Sequence, residues 1–197
     1  MCYPWAERRY IILANPIIID KQKIDEVAFE MVRSEGMEAI SARNISKKLD
    51  CSTKPIYRIY ENMDELKKVV LKSVIQYMNN FVYMYRKTGK PLLDSGLAYI
   101  HFAKTEKELF KLISLSNDLQ LLKDLEISIH HSDQQLYQLV SLELAEKKYS
   151  EDKLKEITEH ITIYTYGLAI RCFLEIQNFS EDELAVKLKD FFEQIAK

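Results

Sequence analysis

The chain reads as an all-α protein: a small helical head, a long connecting helix and a larger helical body. Three observations predict this. Only four Gly and four Pro occur in 197 residues, so helices have few breaks and a sheet fold would lack the turns it needs. Hydrophobic side chains, 47% of the chain, supply ample core material and recur at helical rather than alternating spacing. Asn62 with Glu65, and Ser180 with Glu183, stand ahead of apolar runs at the spacing that opens a capped helix.

The elements follow in order. Residues 1–19 read as an N-terminal extension. Arg8 and Arg9 precede an apolar stretch, as in a signal peptide, but Asn15 and Pro16 interrupt it and no small-residue cleavage site follows. From Lys21 to Glu35, Ile24, Val27, Ala28, Met31 and Val32 form one apolar stripe, and Gly36 supplies the stop. Ser41 caps a short helix whose inward residues are Ala42, Ile45 and Leu49. Asp50-Cys51 makes a tight turn. Ser52 then caps a third helix, which puts Pro55 at its third position, where a missing N–H costs nothing.

Asn62 opens a long helix carrying Leu66, Val69, Val70, Val74, Tyr77, Met78, Phe81 and Tyr85, ended by Gly89-Lys90-Pro91. Further helices are expected at about 92–104, 106–116, 118–129 and 133–148, then from Ser150 to about Gln177 and from Ser180 to the C-terminus. The expected organisation is a head over 20–66 and a body over 67–197.

Charge is uneven. The net value is −2, yet residues 41–60 hold five basic side chains (Arg43, Lys47, Lys48, Lys54, Arg58) against Asp50 alone. Residues 91–197 hold twelve basic and nineteen acidic side chains. A basic segment on an acidic body implies an anionic partner met at one end. Three cysteines, far apart and in no CxxC spacing, imply neither a disulfide framework nor a metal site, and fit a cytoplasmic setting. No run of 18 apolar residues suggests a membrane span.

The stretch IDEVAFEMVRSEGMEAISARNISKKLDCSTKPIYRIYENMDEL, Ile24 to Leu66, resembles the N-terminal domain of the TetR-like bacterial transcriptional regulators. It carries the first-helix pattern AF-x-M-V, Gly36, the AR-x-I-x-x-x-L second helix, the S-x-x-x-I-Y-x-x-Y recognition helix and the N-x-x-x-L start of the fourth. The resemblance implies a homodimer with two DNA-reading heads, whose all-helical body binds a small molecule and dimerises through its last two helices. It further implies a repressor released from a palindromic operator by that effector. Three positions depart from the pattern: Asp50 stands where the turn usually has Gly, Lys54 where Gly or Ala is frequent, and Met63 where a lysine often meets phosphate. Asp tolerates left-handed backbone, so the turn survives.

A helix-turn-helix presents the start of its second helix to base edges in the major groove. Ser52, Thr53, Lys54 and Pro55 occupy that start. Lys54 can donate to guanine O6 or N7, and Thr53 and Pro55 can contact a thymine methyl. Tyr57 suits a phosphate, Arg58 a base or the backbone, and Arg43 a phosphate at the positive end of its helix. Ile45, Leu49, Ile56 and Tyr60 read as the core between the helices, and Lys47 and Lys48 as a solvated face.

In the body, Tyr77, Phe81, Tyr85, His101, Phe102, Phe110, His160 and Tyr164 gather rings that suit the wall of a pocket for an apolar or aromatic effector. The run EHITIYTYGLAIRCFLEI is apolar nearly all round, so one side can face the subunit core and another a partner. Tyr166, Gly167, Ile170 and Leu174, with Leu188, Phe191, Phe192 and Ile195, are the expected four-helix dimer seam. No HExxH, Glu-x-x-His pair, Gly-rich phosphate loop or GxSxG occurs, and adjacent Glu159-His160 diverge on a helix, so neither an enzyme nor a cofactor is expected. The rival reading is a helical dimer that serves as a protein-interaction module without binding DNA. The basic segment and the recognition-helix pattern argue against it.

Overall fold

Most helices begin at a side-chain oxygen that the sequence puts in place to satisfy their first free amides. The computed structural model describes residues 19–115 and 129–197. The N-terminal extension and the helix expected at 118–129 fall outside these ranges but for their last positions. The helices are α1 (Lys21–Glu35), α2 (Ala42–Lys48), α3 (Lys54–Ile59), α4 (Met63–Met84), α5 (Pro91–Thr105), α6 (Lys107–Ser114), α7 (Ile129–Glu143), α8 (Glu151–Phe173) and α9 (Glu181–Ile195), with no strand among the described residues.

Asp20 accepts from the Lys23 amide at 2.9 Å, Ser41 from Asn44 at 3.1 Å and Ser150 from Lys153 at 3.2 Å. Ser180 and Glu183 form a complete capping box. Asn62 caps α4 by accepting from Glu65 N–H at 2.9 Å, but Glu65 reaches back to the amide of Glu61 at 2.7 Å, one residue earlier than a capping box requires. The start of α3 also differs from expectation. It has no side-chain cap, Thr53 is already helical (φ −73°, ψ −12°), and Pro55 is the second helical residue rather than the third. Its missing N–H is harmless at either position.

The turn between α2 and α3 is a Schellman motif. Cys51 N–H donates to Ser46 O at 3.0 Å, Asp50 N–H to Lys47 O at 3.4 Å, and Asp50 takes the left-handed position with φ 48°. This is how the chain turns tightly without the usual glycine.

Head and body share one core. A continuous cluster of buried residues includes Ile24, Ile45, Ile56 and Leu66 at one end and Phe102, Phe110, Leu168 and Leu188 at the other. The 22 residues of α4, about 33 Å long at 1.5 Å per residue, run through both. A second cluster of Leu92, Val140, Ile157 and Ile161 joins α5, α7 and α8. Gly96 lets α9 close on α5, since a Cβ there would stand 3.1 Å from Leu188 Cδ1. Leu188, expected at the dimer seam, is therefore fully buried within the chain's own core.

The left-handed Asp50 can be checked by urea unfolding. Asp50→Gly is expected to hold or raise stability by up to about 1 kcal/mol, whereas Asp50→Val is expected to lower it by about 1–2 kcal/mol, because a β-branched residue resists positive φ.

Candidate nucleic-acid interface and ligand cavity

Ile45 and Ile56 are fully buried between α1, α2 and α3 and set the angle of the helix-turn-helix. Tyr60, also buried, anchors the end of α3 to α1: its hydroxyl donates to Asp25 and accepts from Lys21 Nζ at 2.9 Å. Burial and the Asp25 carboxylate push its pKa up, so it stays a phenol.

Arg43, Ser52, Lys54 and Arg58 are exposed, Tyr57 is 55% exposed, and Thr53 and Pro55 are half-buried. Lys48 pairs with Glu35 at 2.7 Å, and the Arg58 guanidinium donates to Ile19 O at 3.5 Å. Arg43, Lys47 and Lys54 pair with no described residue. Lys47 shares the face of α2 with Arg43, four residues earlier, so it belongs with the uncommitted cations; its neighbour Lys48 does not.

Head and body are also joined by ions. Arg33 of α1 holds Glu106, between α5 and α6, with two hydrogen bonds of 2.8 and 2.7 Å. Tyr77 of α4 donates to the same carboxylate at 2.8 Å, and Arg33 lies over its ring at 5.3 Å. Burial would raise the pKa of Glu106, but the hydrogen bonds from Arg33 and Tyr77 outweigh it and hold the carboxylate below its ordinary 4.5.

A cavity of about 380 Å³ opens inside the body. Its walls are Ile75, Met78, Asn79 and Val82 of α4, Ser95, Gly96 and Tyr99 of α5, Ile113 and Ser114 of α6, Gln135, Leu136 and Leu139 of α7, and Ile161, Thr162, Thr165 and Tyr166 of α8. Two tyrosines hold the end of α6 against it: Tyr99 OH bonds Ser114 Oγ at 3.1 Å, and Tyr166 OH donates to Ser114 O at 2.8 Å.

None of the eight rings expected to wall a pocket lines this cavity. On α4, Ile75, Met78, Asn79 and Val82 face it at helical spacing, while Tyr77, Phe81 and Tyr85 lie round the helix from them. Tyr77, Phe81 and Phe102 pack edge-on or tilted beside Phe29, and His101 stacks on Phe81 at 5.8 Å and leans on Tyr85. Phe110 is buried between Tyr99 and Phe173. Tyr164 stacks on Phe191 at 4.0 Å, tying α8 to α9, and His160 is exposed. Apart from His160, these rings are core and cross-helix struts. Among the residues expected at the seam, Tyr166 lines the cavity, and Phe192 and Ile195 pack on the Leu92 cluster. Gly167 and Leu174 are exposed, Ile170 is half-buried, and nothing lies within 4 Å of where a Cβ on Gly167 would stand.

No protein-family profile and no curated protein matches the chain. Solved structures do share its architecture. A Rhodococcus sp. protein described as a TetR-family transcriptional regulator superposes at TM-score 0.66 with 12% identity, over 89% of this chain and 98% of its own. The flavonoid-responsive regulator FrrA superposes at 0.66 with 14% identity, over 88% and 93%. This is the TetR-like fold. It is not confined to regulators by name, since the superantigen pfit matches at 0.58 with 16% identity, over 84% and 85%. At such identities a likeness speaks for the TetR-like fold alone, and function has to be argued from the site. No helix among the described residues is long and apolar enough to cross a membrane, and no described cluster of His, Cys, Asp and Glu could hold a metal.

The Arg33–Glu106 pair yields a prediction with a definite sign. Removing the charge in Glu106→Gln should cost about 2 kcal/mol near neutral pH, since the lost hydrogen bonds are charge-assisted. A carboxylate whose folded pKa is depressed contributes fully above its unfolded value and loses that contribution as pH falls through the lower, folded one. The gap in urea midpoint between the two proteins should therefore close as pH drops below 4.5.

Proposed function

We propose that the protein is a DNA-binding transcriptional regulator. It acts as a homodimer that holds a palindromic operator through two heads, one near residues 20–66 of each subunit, and is released when a small apolar or aromatic effector enters the body. The observation that carries this reading is the outward, uncommitted set of Arg43, Lys54 and Tyr57 on a rigid helix-turn-helix. Cations without protein partners are what phosphates need, and the start of α3 is where base edges are met. A lone head would bind weakly, so two are required.

Dimerisation finds support in the outer face of α8. Ile163 is 61% and Leu174 55% exposed, with Gly167 and Ile170 between them, and Val186 of α9 is 57% exposed. Apolar side chains repeated at helical spacing and left open to water suit a second copy. Release finds support in α6, whose far end lines the cavity at Ile113 and Ser114. Just before its first turn, Glu106 grips the head's Arg33. A ligand that shifts α6 changes the position of the head, and with it the spacing of two heads on an operator.

Gel-shift titration on the DNA flanking its own gene tests the reading. Lys54→Ala should cost about 1–3 kcal/mol and relax the preference at one base pair. Arg43→Ala should weaken binding evenly and reduce the salt slope by about one. Tyr57→Phe should weaken binding with dimerisation intact. A protein that dimerises in sedimentation yet shifts no DNA would be the interaction module instead. Ile163→Glu should yield monomers that no longer retain operator DNA.

A further inference from the structure

The phenol of Tyr60 is more than its place in the core requires. The residue is 2% exposed, and a phenylalanine ring would fill the same space. Instead its hydroxyl donates to the Asp25 carboxylate and accepts from Lys21 Nζ at 2.9 Å. Lys21 Nζ also bonds Asp25 at 2.6 Å and lies 5.2 Å from the centre of the Tyr60 ring, so the three groups close a triangle. Lys21 and Asp25 stand four residues apart on one face of α1, which Ile24, Ala28, Met31 and Val32 seat in the core. The hydroxyl thus meets partners on a helix that is itself held fast.

The second observation is how little else directs α3. It has six residues, about 9 Å of helix, and no side-chain cap. The Schellman turn fixes where it starts but not how it is rolled about its axis. Within it only Ile56 is buried, and an apolar contact has no preferred direction. The Arg58 guanidinium reaches Ile19 O at 3.5 Å, a long bond from an exposed side chain. Tyr60 closes the helix with its own N–H on Ile56 O at 2.9 Å, so its ring turns with α3. A roll of about 20° would carry a side-chain tip about 6 Å from the axis through about 2 Å. That is enough to break a hydrogen bond to a base edge.

We infer that the Tyr60 hydroxyl, held by Asp25 and Lys21, is a positioning group that sets the roll of α3, and that it contributes base discrimination by Lys54 rather than affinity for DNA as such. The inference rests on the reading of the protein as a DNA-binding regulator. Arg43 belongs to α2, and its attraction to phosphate acts over about 10 Å at 0.1 M salt, so it tolerates a small roll of α3. A hydrogen bond from Lys54 to a base does not. Removing the hydroxyl strands no charge, because Asp25 keeps Lys21 and, with 24% of its side chain exposed, water.

In the test, the full wild-type chain selects duplexes from a random-sequence pool. The tightest of these and an unrelated duplex of equal length are then titrated by gel shift at several salt concentrations. In Tyr60→Phe the ratio of the two affinities should fall about five- to tenfold, the worth of one hydrogen bond. Affinity for the unrelated duplex should stay within about twofold, with its salt slope unchanged. The lost preference should lie at the base pair that Lys54→Ala relaxes. Asp25→Ala should match Tyr60→Phe, and the double variant should lose nothing more, since both remove one interaction. Asp25→Asn, whose amide oxygen still accepts from the phenol, should recover part of the ratio. Should Tyr60→Phe prove unfolded by circular dichroism, Asp25→Ala carries the same comparison. A hydroxyl that served folding alone would lower both affinities equally and leave the ratio where it was, which overturns the inference, as does a ratio unmoved with both affinities intact. Either result leaves the regulator reading standing. A wild-type chain that selects no duplex removes that reading and the inference with it.

Discussion

Glu106 is a carboxylate held almost out of water at the joint of α5 and α6, with a side chain only 9% exposed. A charge in that position is tolerable only because Arg33 meets it with two hydrogen bonds and Tyr77 with a third. Those three residues come from three different parts of the fold: α1 in the head, α4 passing through both halves, and the joint itself. The cluster therefore fixes where the head sits on the body. The apolar core does the same without direction, while the ion pair adds geometry. Gly36 sharpens the arrangement from the other side: its φ of 84° turns the chain out of α1 where the Glu108 carboxylate stands 3.0 Å from an added Cβ.

From this joint the rest of the molecule can be followed outward. In one direction, α1 carries Asp25 and Lys21 to Tyr60 and so fixes α3, whose exposed start holds Lys54. In the other, α6 runs seven residues on to Ile113 and Ser114 at the cavity, where Tyr99 and Tyr166 hold its end. The two surfaces on which the proposed function depends are thus linked by side chains with few alternative positions.

The head was legible in the sequence because its signals are local. Caps at Ser41 and Asn62, the stop at Gly36 and the turn at Asp50 each act over a few residues, and each appears where its chemistry requires, whereas the Asp20 cap of α1 was not read from the sequence. Two details departed: Ser52 looked like a cap that α3 does not use, and Glu65 bonds the amide of Glu61 rather than closing a capping box with Asn62. The body was legible as helices but not as a site. Ring content marked α4 and α5 as aromatic, yet a step of one residue, from Tyr77 to Met78, is a turn of 100° and decides between strut and cavity wall. Arg33 and Glu106 are 73 residues apart, and no periodicity joins them. Leu188 and Phe192 have the spacing of a seam, but Gly96, ninety residues earlier, draws α9 inward and turns that face into core.

The single core that runs from Ile24 to Leu188 has a consequence for how such a protein can be rebuilt. Modular exchange treats an N-terminal head as a cassette to be swapped between bodies. Here the cassette has no clean edge. A transplanted head must bring an arginine to the position of Arg33 and find an acid at that of Glu106, or it strands a charge at the joint. Its α4 must also continue, in register, into a body whose wall it already forms. An exchange of heads in this chain would therefore have to carry the Arg33–Glu106 pair and the register of α4 together.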